Sequence, residues 1–124
     1  MILVVDDDPL VRSTIAQGLT ELGYQVSEAA NGKEALALLE GSEIAPQLAI
    51  LDYVMPGMDG AELARRIGDV DPELPILFST GHAALRALRT AAGESASILE
   101  KPFTLDELGA LMTQVLAESR KVRT

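Results

Sequence analysis

Five polar residues carry most of the chemistry open to this chain of 124 residues: Asp6, Asp7, Asp52, Thr80 and Lys101. Each stands at the end of a short run rich in apolar residues. Ile2-Leu3-Val4-Val5 leads to Asp6 and Asp7, and Leu48-Ala49-Ile50-Leu51 to Asp52. Ile76-Leu77-Phe78-Ser79 leads to Thr80, and Ser97-Ile98-Leu99-Glu100 to Lys101. Brought together, three carboxylates against one ammonium leave a formal charge of about −2, and like charges that close raise carboxyl pKa values unless a cation intervenes. A hard divalent ion with oxygen ligands is the natural partner. Mg²⁺ suits a site of few carboxylates completed by water and phosphate, with Mn²⁺ as its substitute. A carboxylate nucleophile, a metal, a hydroxyl and an ammonium are what transfer of a phosphoryl group onto an acid requires. No Ser/His/Asp set and no glycine-rich Walker-type loop competes with them.

The elements that must position these residues follow from the spacing. The runs ending on Asp6 and Asp52 are too short for a stable helix and apolar on both parities, which predicts strands buried on both faces of a parallel sheet. Asp8 followed by Pro9 is a helix start, with Asp as N-cap and Pro at N1. That helix is expected to run to about Leu22, closed by Gly23, with Ile15, Leu19 and Leu22 facing the core. Tyr24 to Ala29 reads as a second strand. Asn31, with Glu34 three residues on, starts a second helix ending at Gly41. Gly60 to Ile67 is a short helix stopped by Gly68, and Asp71-Pro72-Glu73-Leu74-Pro75 a turn-forming connection. Residues 76–80 form a fourth strand, 83–92 a helix before Gly93, and 97–100 a fifth strand. Thr104, with Glu107 at N3, caps a last helix carrying Leu105, Leu108, Leu111, Met112, Val115 and Leu116. Strict alternation of this kind implies a parallel α/β sheet with right-handed crossovers and helices on both faces. In a doubly wound sheet with strand order 2-1-3-4-5, Asp6, Asp7 and Asp52 would crowd into one pocket at the carboxyl edge, walled by Thr80 and Lys101.

Composition bounds the alternatives. Hydrophobic residues make up 48% and charged residues 23%, as in an ordinary globular domain. A net charge of −9 and 3% aromatics argue against a nucleic-acid surface, which needs basic patches and stacking platforms. No apolar run approaches the roughly 20 residues of a membrane span. Met1 leads straight into Ile2 without a basic leader region, and there are no cysteines, so a cytoplasmic, disulfide-free chain is expected. Residues 1–119 read as one domain and 120–124 as a frayed tail or the start of a linker.

Four segments in order resemble the receiver domain of bacterial two-component response regulators: Val4-Val5-Asp6-Asp7-Asp8-Pro9, Leu51-Asp52 with Met55-Pro56-Gly57-Met58-Asp59-Gly60, Ser79-Thr80-Gly81, and Lys101-Pro102-Phe103. The resemblance covers essentially the whole chain. It implies a flavodoxin-like (βα)5 fold with strand order 2-1-3-4-5, an order carried over from a chemotaxis member of that family. It further implies that Asp52 is the phosphorylated residue, and that Asp6, Asp7, Asp52 and the backbone carbonyl of Val54 bind Mg²⁺. Thr80 would hydrogen-bond the phosphoryl group, Lys101 would pair with it, and the Lys101–Pro102 bond would be cis. The phosphodonor would be a phosphohistidine on a sensor histidine kinase or a histidine phosphotransfer protein. Such a domain catalyses only its own phosphorylation and dephosphorylation, and acts as a monomer or a phosphorylation-linked dimer. Receivers often carry an aromatic residue three positions before the lysine. Here that position is Ile98, so a rotamer switch there lacks its residue. The Thr80-Gly81-His82 turn is closer to receivers of hybrid histidine kinases.

Plainer readings stand beside these. Asp8 is more simply an N-cap than a metal ligand. His82, the only histidine, is either a solvated residue at a helix start or, with Val54, a flank of the phosphoryl site that tunes hydrolysis. Val11 and Thr14 are kinase-docking positions by resemblance, and Val11 is equally a core residue. The rival enzyme is a haloacid-dehalogenase-like phosphohydrolase using Asp6 and Asp8, which leaves Asp52 without a role. A third reading is an interaction module that is never phosphorylated.

Overall fold

The computed structural model describes residues 1–41 and 44–118, with the backbone of the last helix followed to Arg123. In chain order the elements are β1 (Ile2–Val5), α1 (Pro9–Glu21), β2 (Val26–Ala29), α2 (Gly32–Glu40), β3 (Leu48–Asp52), α3 (Gly60–Val70), β4 (Ile76–Gly81), α4 (Leu85–Ala92), β5 (Ser97–Lys101) and α5 (Leu105–Arg123), with a 3₁₀ turn, His82–Ala84, leading into α4. The five strands are parallel in the order β2-β1-β3-β4-β5. This is the expected flavodoxin-like α/β architecture. The tail expected at 120–124 concerns side chains and a final residue outside the described ones.

Alternation along the strands divides the core in two. Leu3, Val5, Ala49, Leu51 and Phe78 face α2, α3 and α4, meeting Leu36, Leu63, Ile67 and Leu88. Their neighbours Ile2, Val4, Leu48, Ile50, Leu77 and Leu99 face α1 and α5, meeting Ile15, Leu19, Leu108 and Met112. Side chains one residue apart on a strand point to opposite faces, so a strand covered on both sides must be apolar at every position. β1 and β3 are buried at every residue for that reason.

Caps set the helix starts. Asp8 Oδ1 accepts from the Leu10 and Val11 N–H groups at 2.9 and 3.4 Å, leaving Asp8 in the capping role that its Pro9 neighbour implies. Asn31 Oδ1 accepts from Glu34 N–H at 2.8 Å, and Asp59 Oδ1 from Glu62 N–H at 2.9 Å. Thr104 and Glu107 complete a reciprocal capping box, each side chain accepting from the other's N–H at 3.1 Å.

Four expectations fail locally. β2 begins at Val26 and not Tyr24, because Tyr24 N–H bonds Leu19 O and Gly23 N–H bonds Thr20 O. These two bonds, with Gly23 at φ +96°, make a Schellman motif that draws Tyr24 into the end of α1. Leu22 is the C-cap of that motif and is 38% exposed; it lies against Gly109 of α5 instead of joining Ile15 and Leu19 in the core. α3 passes through Gly68, at a cost of about 1 kcal/mol relative to Ala, and ends at Asp71. There Pro72 disfavours helical geometry and the backbone turns extended. α4 starts at Leu85, two residues late, because no side chain caps it and a 3₁₀ turn intervenes.

Candidate functional site

The sheet order puts β1 beside β3, and β4 and β5 follow in sequence, so the ends of four strands open on one edge. Asp6 is 1% exposed and Asp52 6%, while Asp7 is open to solvent. One oxygen from each of these three carboxylates lies within 4.8 Å of the others, a spacing that could hold a metal ion. Lys101 Nζ donates to Asp6 Oδ2 and to Asp52 Oδ1, both at 3.3 Å. The free Asp6 oxygen, Oδ1, accepts from Asp8 N–H at 2.9 Å. The Lys101–Pro102 bond that follows is cis, as the resemblance implies.

Burial lifts the Asp52 carboxyl to a pKa of about 6, and the charge on Asp6 pushes the same way. The charge and hydrogen bond of Lys101 oppose them, and Asp7 adds a smaller upward push. A buried acid facing two like charges and one ammonium is an unbalanced site, and a divalent cation is the group that balances it. The donor set fits a hard ion: every available ligand is an oxygen. Val54 sits in the loop after β3 and is 59% exposed.

Thr80 is 1% exposed, and its Oγ1 has no hydrogen-bond partner among the described residues; the same holds for Ser79 Oγ. An unmet buried hydroxyl costs about 1–3 kcal/mol. Thr80 therefore keeps a donor in reserve at the strand edge, next to the register pair Gly81–Lys101. His82 is directed elsewhere: its Nδ1 shares a 2.9 Å hydrogen bond with Glu100 Oε1 on β5, and its side chain is 91% exposed. Ile98 pairs with Phe78 on β4, so this face of the sheet does carry an aromatic, one strand away from the position where receivers often have it.

Two further residues support the site, one with a faint sequence signature and one with none. A Cβ on Gly60 would stand 2.5 Å from the backbone oxygen of Asp52, so only glycine lets α3 start this close to the strand end. Gly60 N–H closes that turn on Tyr53 O at 2.9 Å. The Asp-Gly pair at a helix start was a signal for this. Arg12 had no such signal: from the first turn of α1, its Nη1 donates to the backbone oxygen of Asp6 at 2.9 Å and its Nε to Glu28 Oε1 at 3.2 Å.

A doubly wound sheet with an acidic pocket, a reserved hydroxyl and a shared lysine at its carboxyl edge defines an α/β domain built to receive a phosphoryl group. Comparison with known proteins agrees. The response regulator receiver domain family matches residues 2–113. The response regulator receiver protein CpdR of Brucella abortus is 41% identical over 109 residues, covering 86% of this chain and 88% of that protein. The response regulator MprA of Mycolicibacterium vanbaalenii is 39% identical over 117 residues, with 93% of this chain but 49% of MprA covered, so the chain spans about half its length. The solved receiver domain of NtrX from Brucella abortus superposes with a TM-score of 0.86 at 32% identity, covering 94% of this chain and 98% of that one. Against the longer NtrX chain the TM-score is 0.89, and 28% of that chain is covered.

The chain belongs to the response regulator receiver domain family, the phosphoacceptor domains of two-component signalling. The dehalogenase-like alternative falls with that assignment. It also fails on geometry, since the Asp8 carboxylate is engaged with the start of α1.

Proposed function

We propose that Asp52 is the phosphoacceptor, that Asp6, Asp7, Asp52 and the Val54 carbonyl hold Mg²⁺, and that Thr80 and Lys101 bind the transferred group. The observation that carries this reading is Lys101 Nζ poised 3.3 Å from both Asp6 and Asp52. Asp6 is engaged on both oxygens, by Lys101 and by Asp8 N–H. Among the bonds at Asp52, Oδ1 takes the lysine, which leaves Oδ2 to attack.

In the reaction, an Asp52 oxygen forms a bond to phosphorus as the phosphorus–nitrogen bond of a phosphohistidine breaks, and the departing imidazole takes the bonding pair. Lys101 then neutralises a phosphoryl oxygen, and Thr80 Oγ1 gains an acceptor for its unmet donor. Bound Mg²⁺ supplies charge neutralisation at the equatorial oxygens. Everything the protein adds is positioning and charge. The donor in this reading is a sensor histidine kinase or a histidine phosphotransfer protein, and the setting is the cytoplasm. No helix among the described residues is long and apolar enough to cross a membrane.

Beryllofluoride, which mimics an acyl phosphate, tests the reading. With Mg²⁺ present it should raise the melting temperature of the unmodified chain and leave Asp52→Asn unchanged. An equal rise in Asp52→Asn would exclude Asp52 as the acceptor.

A further inference from the structure

Asp6 is the pivot of the acidic pocket, and its backbone is held by a residue with no assigned part in the chemistry. β1 ends at Val5, so the carbonyl of Asp6 lies beyond the ladder, yet Asp6 is 1% exposed. A buried carbonyl needs a donor. Arg12 Nη1 provides it at 2.9 Å, while Nε of the same guanidinium bonds Glu28 Oε1 on β2 at 3.2 Å. The Arg12 side chain is 20% exposed, and Glu28 lies in register with Val4 of β1. One planar fork thus ties α1, the end of β1 and β2 together at the peptide joining Asp6 to Asp7. A lysine cannot serve two acceptors with the same fixed geometry.

We propose that Arg12 is a positioning residue of the cation site: its guanidinium holds the Asp6 peptide so that the Asp6 and Asp7 carboxylates stand preset for a divalent ion. The proposal rests on the reading that these aspartates bind Mg²⁺. The Asp6 carboxylate is fixed by Asp8 N–H and Lys101, but both bonds act at the side chain; Arg12 fixes the backbone from which it and Asp7 project. Residues that orient metal ligands without touching the ion commonly change affinity by roughly 10–100-fold when lost.

Charge alone makes the opposite prediction. Arg12 places a cation beside a cation site, so deleting it would tighten Mg²⁺ binding if repulsion were its main effect. The two roles are therefore separable by the sign of the change.

The test is calorimetric titration of Mg²⁺ into the unmodified chain, Arg12→Ala, Arg12→Lys and Glu28→Gln. Melting temperatures in chelator and the Mg²⁺ dependence of phosphorylation by an acyl phosphate are measured alongside. The expected result is Kd weakened roughly tenfold in Arg12→Ala, with a smaller loss in Arg12→Lys and the least in Glu28→Gln, whose amide oxygen still accepts. Saturating Mg²⁺ should restore the maximal phosphorylation rate of Arg12→Ala, and a melting temperature in chelator well above the assay temperature separates this from refolding driven by the bound ion. An unchanged or tighter Kd in folded Arg12→Ala overturns the proposal. If Arg12→Ala does not fold, Arg12→Lys decides in the same way. Failure of the unmodified chain to bind Mg²⁺ at millimolar concentration overturns the cation reading itself, and the role of Arg12 with it.

Discussion

Asp52 is held in a state that costs the fold something. Its unfolded carboxyl titrates near 3.8 and its folded one at about 6, so between those values the native state binds more protons than the unfolded state. Stability therefore falls as pH rises from about 4 to 6, and stays lower above. The shift of about two units corresponds to roughly 3 kcal/mol at most. Asp52→Asn should accordingly melt higher than the unmodified chain at pH 7.5, with the advantage shrinking toward pH 4; a pH series of melting curves checks this. Thr80 behaves alike for a different reason. Its hydroxyl is buried and unmet, so the near-isosteric Thr80→Val should leave the melting temperature unchanged or raise it, while weakening beryllofluoride binding. A Thr80→Val variant that melts several degrees lower would show that the hydroxyl already has a partner. These residues were legible because each follows a short run rich in apolar residues and together they form one chemically coherent set. Arg12 was not, because an arginine in a helix's first turn has no signature until the fold brings it to the Asp6 carbonyl.

At the scale of the elements, the strands and helix starts were readable from short apolar runs and from capping residues whose side chains do bond the backbone as their types suggest. The errors lay at helix ends, with the start of β2 displaced by the end of α1, and at the one helix start that no side chain caps, that of α4. Glycine is a poor guide there because it both stops helices and is tolerated inside them: Gly23 ends α1 with φ +96°, whereas Gly68 sits within α3. Gly23→Ala should cost about 1–2 kcal/mol through its left-handed backbone, without affecting phosphorylation. Gly60→Ala should be worse for function. Its Cβ would press 2.5 Å from the Asp52 carbonyl oxygen, so α3 must shift away, with an overpacking cost of about 1–3 kcal/mol and a reduced phosphorylation rate. Chemical denaturation beside an acyl-phosphate rate assay separates the two variants.

Across the whole molecule, the fold and the site serve one another. Two apolar layers bury the sheet on both faces, which leaves the carboxyl edge as the place where β1, β3, β4 and β5 present polar side chains together. The fold class was legible because βα alternation admits few topologies, but the strand order came with the family resemblance, since nothing in five similar apolar runs states which neighbours which. An ion bound only by the native state stabilises by RT ln(1 + [Mg²⁺]/Kd), so millimolar Mg²⁺ should raise the melting temperature, and Asp6→Asn should lose that rise. The most direct measurement is the intact mass of the unmodified chain, Asp52→Asn and Asp6→Asn after treatment with an acyl phosphate and Mg²⁺. The predicted result is a single added phosphoryl group on the unmodified chain and none on Asp52→Asn. A phosphoryl group retained by Asp52→Asn and lost only from Asp6→Asn would contradict the assignment of Asp52 as the acceptor.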